Sequence, residues 1–277
     1  MAFLTLNGWE VSVAHEKAAE KFEIIGQGSR SFLGTYRDTR RAEKRIWSIT
    51  TPPIVEATAE AVKGLVLGHG WHWNFNSDLY AENKGLAPDT GYEATLSATQ
   101  TKFSSAYSCH LDGDAGAGAN VEYDCGVTGD YTISVWQYDT GAAAWAHLVV
   151  VYDADTTTAT KYINNSSGST INCIVVAAGV VELEGEDPDG NNEDVYYDDL
   201  VICPYKWPAG LITAVYNGGT GLEFSGLPRL NMGGDITKTD TAIEVVGSLN
   251  GSSLTQGYVD GTWHDNLRTL TFDLIEV

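Results

Sequence analysis

No apolar run in the chain approaches the roughly 20 residues that a bilayer-spanning helix needs. The opening residues "MAFLTLNGWEVSVAHEK" lack a basic region followed by an apolar stretch and a small-residue cleavage site. Membrane insertion is therefore not expected, nor export through a leader of this kind, and the chain reads as one made and used in solution. Basic residues are scarce: 16 Lys and Arg stand against 37 Asp and Glu, a formal net charge of −21. Such a chain has little to offer the phosphates of a nucleic acid. Cys109, Cys125, Cys173 and Cys203 lie far apart with no Cys-x-x-Cys, so no zinc site is signalled and buried thiols are expected. There is no Gly-x-Ser-x-Gly elbow, P-loop or dinucleotide fingerprint. Repeats of solenoid period and long low-complexity linkers are also missing.

With 277 residues the chain can bury a full core without covalent staples, as one large all-β domain or two smaller units. Its charge is unevenly spread. Eight of the 16 basic residues precede Pro53, clustered at Arg37, Arg40, Arg41, Lys44 and Arg45. From about Tyr80 to Cys203 only Lys84, Lys102 and Lys161 stand among about twenty acids. That asymmetry predicts two units of different character.

The first unit opens on "FLTLNGWEVSV", two alternating runs around Asn7-Gly8, the pair a tight hairpin turn favours. "RRAEKRIWSITT" has strand character and stops at Pro52-Pro53, because proline has no N–H to give to a ladder. In "IVEATAEAVKGLVLGHG", Val55, Ala59, Val62 and Val66 recur at helical steps, with Gly68 or Gly70 as a cap. This is the one helix the pattern predicts. From about Asn76 to Lys206 the texture changes to short strands such as "YTISVWQYD", "AWAHLVVVYDA" and "DVYYDDLVICPY", separated by Asp, Gly, Asn and Thr turns. An antiparallel sandwich is expected there, and the tail from Leu211 keeps the β texture.

The central segment resembles the laminin-G-like or concanavalin-like jelly-roll family. The resemblance rests on a Trp-x-His…Tyr-Asp strand (Trp145, His147, Tyr152, Asp153), a returning Tyr162-Ile163-Asn164, and a last strand with Asp198-Asp199-Leu200. It implies a jelly-roll fold and says little of the ligand, because such sandwiches include lectins, carbohydrate-binding modules and plain spacers. The flanks are similar to structural proteins of tailed-phage virions, in particular distal tail or baseplate proteins. The residues are "LTLNGWEVSV", "RIWSITTPPIVEATAEAVKGLVLGHGWHWNF" and "LPRLNMGGDI…IEVVGSLNGSSL…WHDNLRTLTFDLIEV". That family often carries an inserted carbohydrate-binding module between its halves.

Three stretches bear on chemistry. In "GWHWNF" the alternation puts Trp71, Trp73 and Phe75 on one strand face and His72 and Asn74 on the other, a pattern of core rather than of a metal site. "VELEGEDPDGNNEDVYYDD" offers Asp187, Asp189, Asn191 and Asp194 at near-alternate spacing in a Gly-containing turn. Several hard oxygens could converge there on calcium, although Pro188 intrudes and a solvated acidic turn is the alternative. Asp112 and Asp114 in "HLDGDAGAG" form a weaker candidate of the same kind. Glu182, Glu184 and Glu186 alternate, as carboxylates of a sandwich glycosidase would, but also as any exposed acidic face would. For a sugar ligand the aromatic candidates are Trp136, Tyr138 and Trp145, since ring faces stack on sugar C–H surfaces. The resembling family implies that Trp145 belongs to the core.

The expectation is a mainly β protein in which an antiparallel jelly-roll sandwich, residues 77–206, is inserted into a smaller β-rich assembly domain with one helix, residues 1–76 plus 207–277. Its function is read as a non-enzymatic virion structural protein of tail-tip or baseplate type, displaying a carbohydrate-binding or adhesion module. The alternatives are a head decoration or fibre protein, and a sandwich glycoside hydrolase acting on host polysaccharide. Expected partners are other virion proteins, further copies in a homo-oligomeric ring and a host-surface glycan, with no nucleic acid. The expected location is the virion, assembled in the host cytoplasm.

Overall fold

The computed structural model describes residues 3–6, 9–14, 18–25, 28–30, 36–38, 42–75, 90–92, 94–103, 106–112, 119–189, 191, 193–222, 229–232, 243–259 and 261–276. Asn7-Gly8, Arg40, Arg41 and Asp114 lie outside them. In chain order the first strands are β1 (Phe3–Leu6), β2 (Trp9–Ser12), β3 (Ala18–Ile25), β4 (Gly28–Arg30), β5 (Tyr36–Asp38) and β6 (Ala42–Thr50), followed by helix α1 (Glu56–Val66). Next come β7 (Trp71–Trp73), β8 (Thr90–Tyr92), β9 (Ala94–Ser97), β10 (Ser108–Asp112), β11 (Asn120–Asp124) and β12 (Tyr131–Asp139). They are followed by β13 (Ala144–Asp153), β14 (Thr158–Ile163), β15 (Ser166–Ser167), β16 (Ile174–Ala177), β17 (Val180–Glu184), β18 (Asp194–Cys203) and helix α2 (Ala209–Tyr216). The chain closes with β19 (Arg229–Met232), β20 (Ile243–Val259) and β21 (Thr262–Glu276). The protein is mainly β, and among the described residues every strand pairing is antiparallel.

Two compact units share the chain: Met1–Gly68 with Leu227–Val277, and His69–Gly226. In the first, the sheet order is β2-β1-β19-β20-β21-β6-β3, so strands from both ends of the sequence interleave. Leu4 and Leu6, Trp9 and Val11, and Leu270, Phe272 and Leu274 are buried at alternate positions, the period that gives a strand one apolar face. Helix α1 runs as the spacing predicts and buries Ala59, Val62, Leu65 and Val66. It ends at Leu67 with Gly68 at φ 62°, the left-handed conformation glycine adopts at little cost. Gly247 of β20 lets α1 close in: a Cβ there would lie 2.2 Å from the Val66 carbonyl oxygen. Beyond Thr50 the chain stays latched to β21, with Thr51 N–H donating to Leu270 O at 2.9 Å and Leu270 N–H donating to Thr51 Oγ1 at 3.0 Å.

The second unit is a β-sandwich. One sheet has the order β15-β14-β13-β12-β18-β10-β9, with β7 also paired to β18, and the other has the order β16-β17-β11-β8. Between them lie Leu111, Ile133, Val135, Leu148 and Val195 of the larger sheet and Val121, Tyr123, Ile174, Val181 and Leu183 of the smaller. Trp73 and Phe75 are buried in this core and Trp71 packs against it. All four cysteines are buried thiols, and burial pushes the Cys109 thiol up to about 12 and Cys173 to about 11.

The borders of this unit fall at 68/69 and 226/227, not at 76/77 and 206/207. Strand β7 is bound to β18 through Trp71↔Ile202, His72↔Val201 and Trp73↔Leu200. The chain after Lys206 forms α2 where a β texture was expected. Pro208 opens it with an extended backbone, Leu211, Ile212 and Val215 are its buried residues, and Asn217 at φ 45° ends it.

Candidate functional site

The side chains of β12 alternate between two faces. Ile133 and Val135 enter the sandwich core, whereas Thr132, Ser134, Trp136 and Tyr138 share the opposite face. Over most of its length that opposite face is covered. Thr132 Oγ1 donates to Tyr205 O at 2.9 Å and accepts from Trp207 N–H at 2.9 Å. Trp136 is 1% exposed. It stacks on His147 at 4.7 Å between centroids and lies under Tyr216 of α2 at 6.2 Å, and the Lys102 ammonium sits 3.9 Å from its ring. Gly221, at φ 81°, passes so near that a Cβ would come within 2.8 Å of both Phe103 and Trp136. The expectation of Trp136 as an exposed stacking platform is therefore corrected: its alternation is right, but α2 and the 102–103 segment lie over it.

The cover stops one step further along β12. Tyr138 pairs with Trp145 across the β12–β13 hairpin, Tyr138 with Tyr196 of β18, and Tyr196 with His110 of β10. Cross-strand partners share a face, so these four rings form one row running across four strands. Tyr138 and Trp145 meet edge to face at 5.5 Å, Tyr138 and Tyr196 at 6.2 Å, and His110 stacks on Tyr196 at 4.5 Å. Tyr138, Trp145 and His110 are half-buried, and Tyr196, 7% exposed, forms the floor between them. Burial first, then the nearby Asp194 carboxylate, raise the Tyr196 phenol.

Carboxylates line this row. Asp194 and Asp112 are register partners one step beyond Tyr196 and His110 on the same face. His110 Nε2 is bonded to Asp194 Oδ1, and Thr140 Oγ1 donates to the Asp194 carbonyl at 2.8 Å. Alternation in the sequence named Tyr138 and Trp145 as candidates but not Tyr196 or His110, because the pairings that bring these beside them are remote in sequence.

Of the four residues expected to hold calcium, Asp187 and Asn191 bond to each other and Asp194 is bonded to His110. Asp187 turns both carboxylate oxygens to Asn191, accepting from its backbone N–H and its Nδ2 at 2.8 Å each. Asp189 is exposed, while its carbonyl accepts from Asn172 Nδ2. Asp194 faces His110. Among the described residues no group of three or more His, Cys, Asp or Glu is placed to hold a metal. The loop closes on its own hydrogen bonds instead.

Glu182 and Glu184 do share a face of β17, opposite Glu122 and Asn120. Burial raises the Glu184 carboxyl, with Glu186 and Glu182 adding to it, while Asn120 Nδ2 donates to Glu182. Ser134 Oγ and His147 Nε2 are hydrogen-bonded at 2.8 Å, but both residues are buried beneath α2 and its neighbours. His72, buried at 2%, donates from Nε2 to Asp199 Oδ1 at 2.9 Å.

No family model matches the chain, and no curated protein matches it. Solved structures to which it is similar include the botulinum neurotoxin serotype D binding domain, with TM-score 0.39 and 10% identity over 74% of this chain and 79% of that one. Another is the serotype D ligand binding domain in complex with N-acetylneuraminic acid, with TM-score 0.39 and 10% identity over 75% and 70%. A third is the binding domain of Paraclostridial Mosquitocidal Protein 1, with TM-score 0.37 and 9% identity, where the match spans 55% of this chain and about half, 52%, of that one. Neither a ligand nor a family follows from likeness at this level.

Proposed function

We propose that this protein is a non-enzymatic structural component of a tailed-phage virion, of tail-tip or baseplate type, whose 69–226 unit is a carbohydrate-binding adhesion module. The observation that carries the binding reading is the row Trp145–Tyr138–Tyr196–His110. It sets ring faces and edges beside two carboxylates at the half-open end of the otherwise covered outer face of β12. Ring faces bury sugar C–H surfaces, and carboxylates accept from sugar hydroxyls. The assembly reading is supported by the flank pattern in the sequence and by a first unit built from both chain ends. It is supported too by the large side chains Leu254, Tyr258 and Trp263, 60%, 72% and 51% exposed on the β20–β21 hairpin, as a contact for another copy. Many copies in a symmetric ring would turn weak sugar affinity into firm attachment.

The test is a glycan array probed with the full chain and with Trp145→Ala. Retention of the wild type on one or more glycans, and its loss in the variant at unchanged melting temperature, is expected. Silence of the wild type across host-surface polysaccharides would overturn the binding reading.

A further inference from the structure

Resting on the carbohydrate-binding reading above, we infer that the aromatic row takes an uncharged glycan and rejects one that carries a carboxylate. The residues around the row decide this. Asp112 and Asp194 lie next to it on the same face, one step beyond His110 and Tyr196, so a sugar seated on Tyr138 and Tyr196 meets two carboxylates at its edge. As acceptors they suit the hydroxyls of a neutral pyranose, while toward a sialic or uronic acid they are like charges at close range, where repulsion is strongest.

The described lysines of this unit, which could offset this repulsion, are committed elsewhere. Residues 69–226 contain four lysines and no arginine, against 22 acidic residues. Of the three described lysines, Lys102 donates to Gly219 O at 2.7 Å and lies against Trp136 as part of its cover. Lys161 donates to Ile171 O. Lys206 is held between Asp130 and Asp153 at 3.3 and 3.1 Å, at the far end of β12 and β13. A buried or half-buried glycan carboxylate needs a partnering cation or a set of N–H donors. Among the described residues whose charged groups face the row, His110 is the single base, and it is already bonded to Asp194. Asp139 and Glu193 lie at the same end of the sheet and are acids as well.

The experiment uses the full chain on an array of matched pairs, each a neutral oligosaccharide and the same oligosaccharide with one sialic or uronic acid added. The wild type should bind the neutral member at least about tenfold more tightly, the order that one or two close like charges produce. Asp112→Asn, which removes one charge, keeps an acceptor and spares the His110–Asp194 bond, should narrow the ratio of neutral to acidic binding several-fold. Raising the salt from about 0.01 M to about 1 M should narrow the preference in the same way, because the screening length shrinks from about 30 Å to about 3 Å. Equal or tighter wild-type binding of the acidic member would overturn the inference while leaving the binding reading intact. Failure of both members of every pair would overturn both.

Discussion

Trp136 and Tyr138 are two residues apart on one strand and share a face, yet α2 covers the first and leaves the second half-open. The difference yields opposite expectations. Tyr138→Ala should remove glycan retention with little change in melting. Trp136→Ala should cost about 3–5 kcal/mol of stability, because it empties a stacked site between His147 and Tyr216. Next to it, burial pushes the His147 imidazole down from 6.5 to about 3, with Lys102 adding to the effect. A depressed histidine binds its proton only in the unfolded chain between those values, so this contribution to stability is whole above about pH 6.5 and falls as the pH drops toward 3. At about pH 4.5 the loss from this residue should be on the order of 3 kcal/mol. Urea unfolding at neutral pH and at about pH 4.5 measures it, and His147→Gln should flatten most of the difference. A wild-type stability that does not fall over this range, or an equally steep fall in the variant, would refute the assignment. The Asp198-Asp199 pair, singled out in the sequence as a family-like motif, is internal wiring: Asp198 Oδ2 accepts from Lys102 N–H, and Asp199, at φ 52°, accepts from His72. Asp199→Ala should lower stability by about 3 kcal/mol, since it strands a buried imidazole N–H and puts a residue poorly suited to positive φ at that position.

Among the elements, α1 was legible because its apolar residues keep a helical period over 11 residues and a glycine follows. Helix α2 was not. It has eight residues, and its adjacent Leu211-Ile212 reads equally well as a strand, while the surface it packs on lies in β12 and β13, far earlier in the chain. The site divides along the same line. The Tyr138–Trp145 contact is a hairpin pairing and local, so alternation on two neighbouring strands suffices to suggest it. Tyr196 and His110 join through β18, whose partners are separated from it by dozens of residues, and no local period specifies that register. In the first unit, Gly247→Ala should cost about 2 kcal/mol by forcing α1 off β20, readable as a lowered urea midpoint. The β20–β21 hairpin carries Tyr258 and Trp263 as cross-strand partners at 5.1 Å, both exposed. If they form a contact between copies, the double change Tyr258→Ser and Trp263→Ser should shift sedimentation toward a smaller species at unchanged melting. The same sedimentation in wild type and variant would remove the hairpin from the assembly.

At the scale of the whole molecule, the reversal of charge and texture along the chain was visible in the sequence, and the two units follow it, with borders moved by β7 and by α2. The ligand side is where the sequence said least, because half of the aromatic row is assembled by distant strands and one of its expected members lies under cover. On the function proposed above, the row Trp145–Tyr138–Tyr196–His110 is the surface by which the protein would hold a glycan. The most direct measurement is retention of the full chain on immobilised host-surface polysaccharide, comparing the wild type, the double variant Tyr138→Ala and Trp145→Ala, and Trp136→Phe as a buried control. Wild type and Trp136→Phe should be retained, and the double variant should lose retention at an unchanged melting temperature. A double variant that folds and is retained as firmly as the wild type would contradict it.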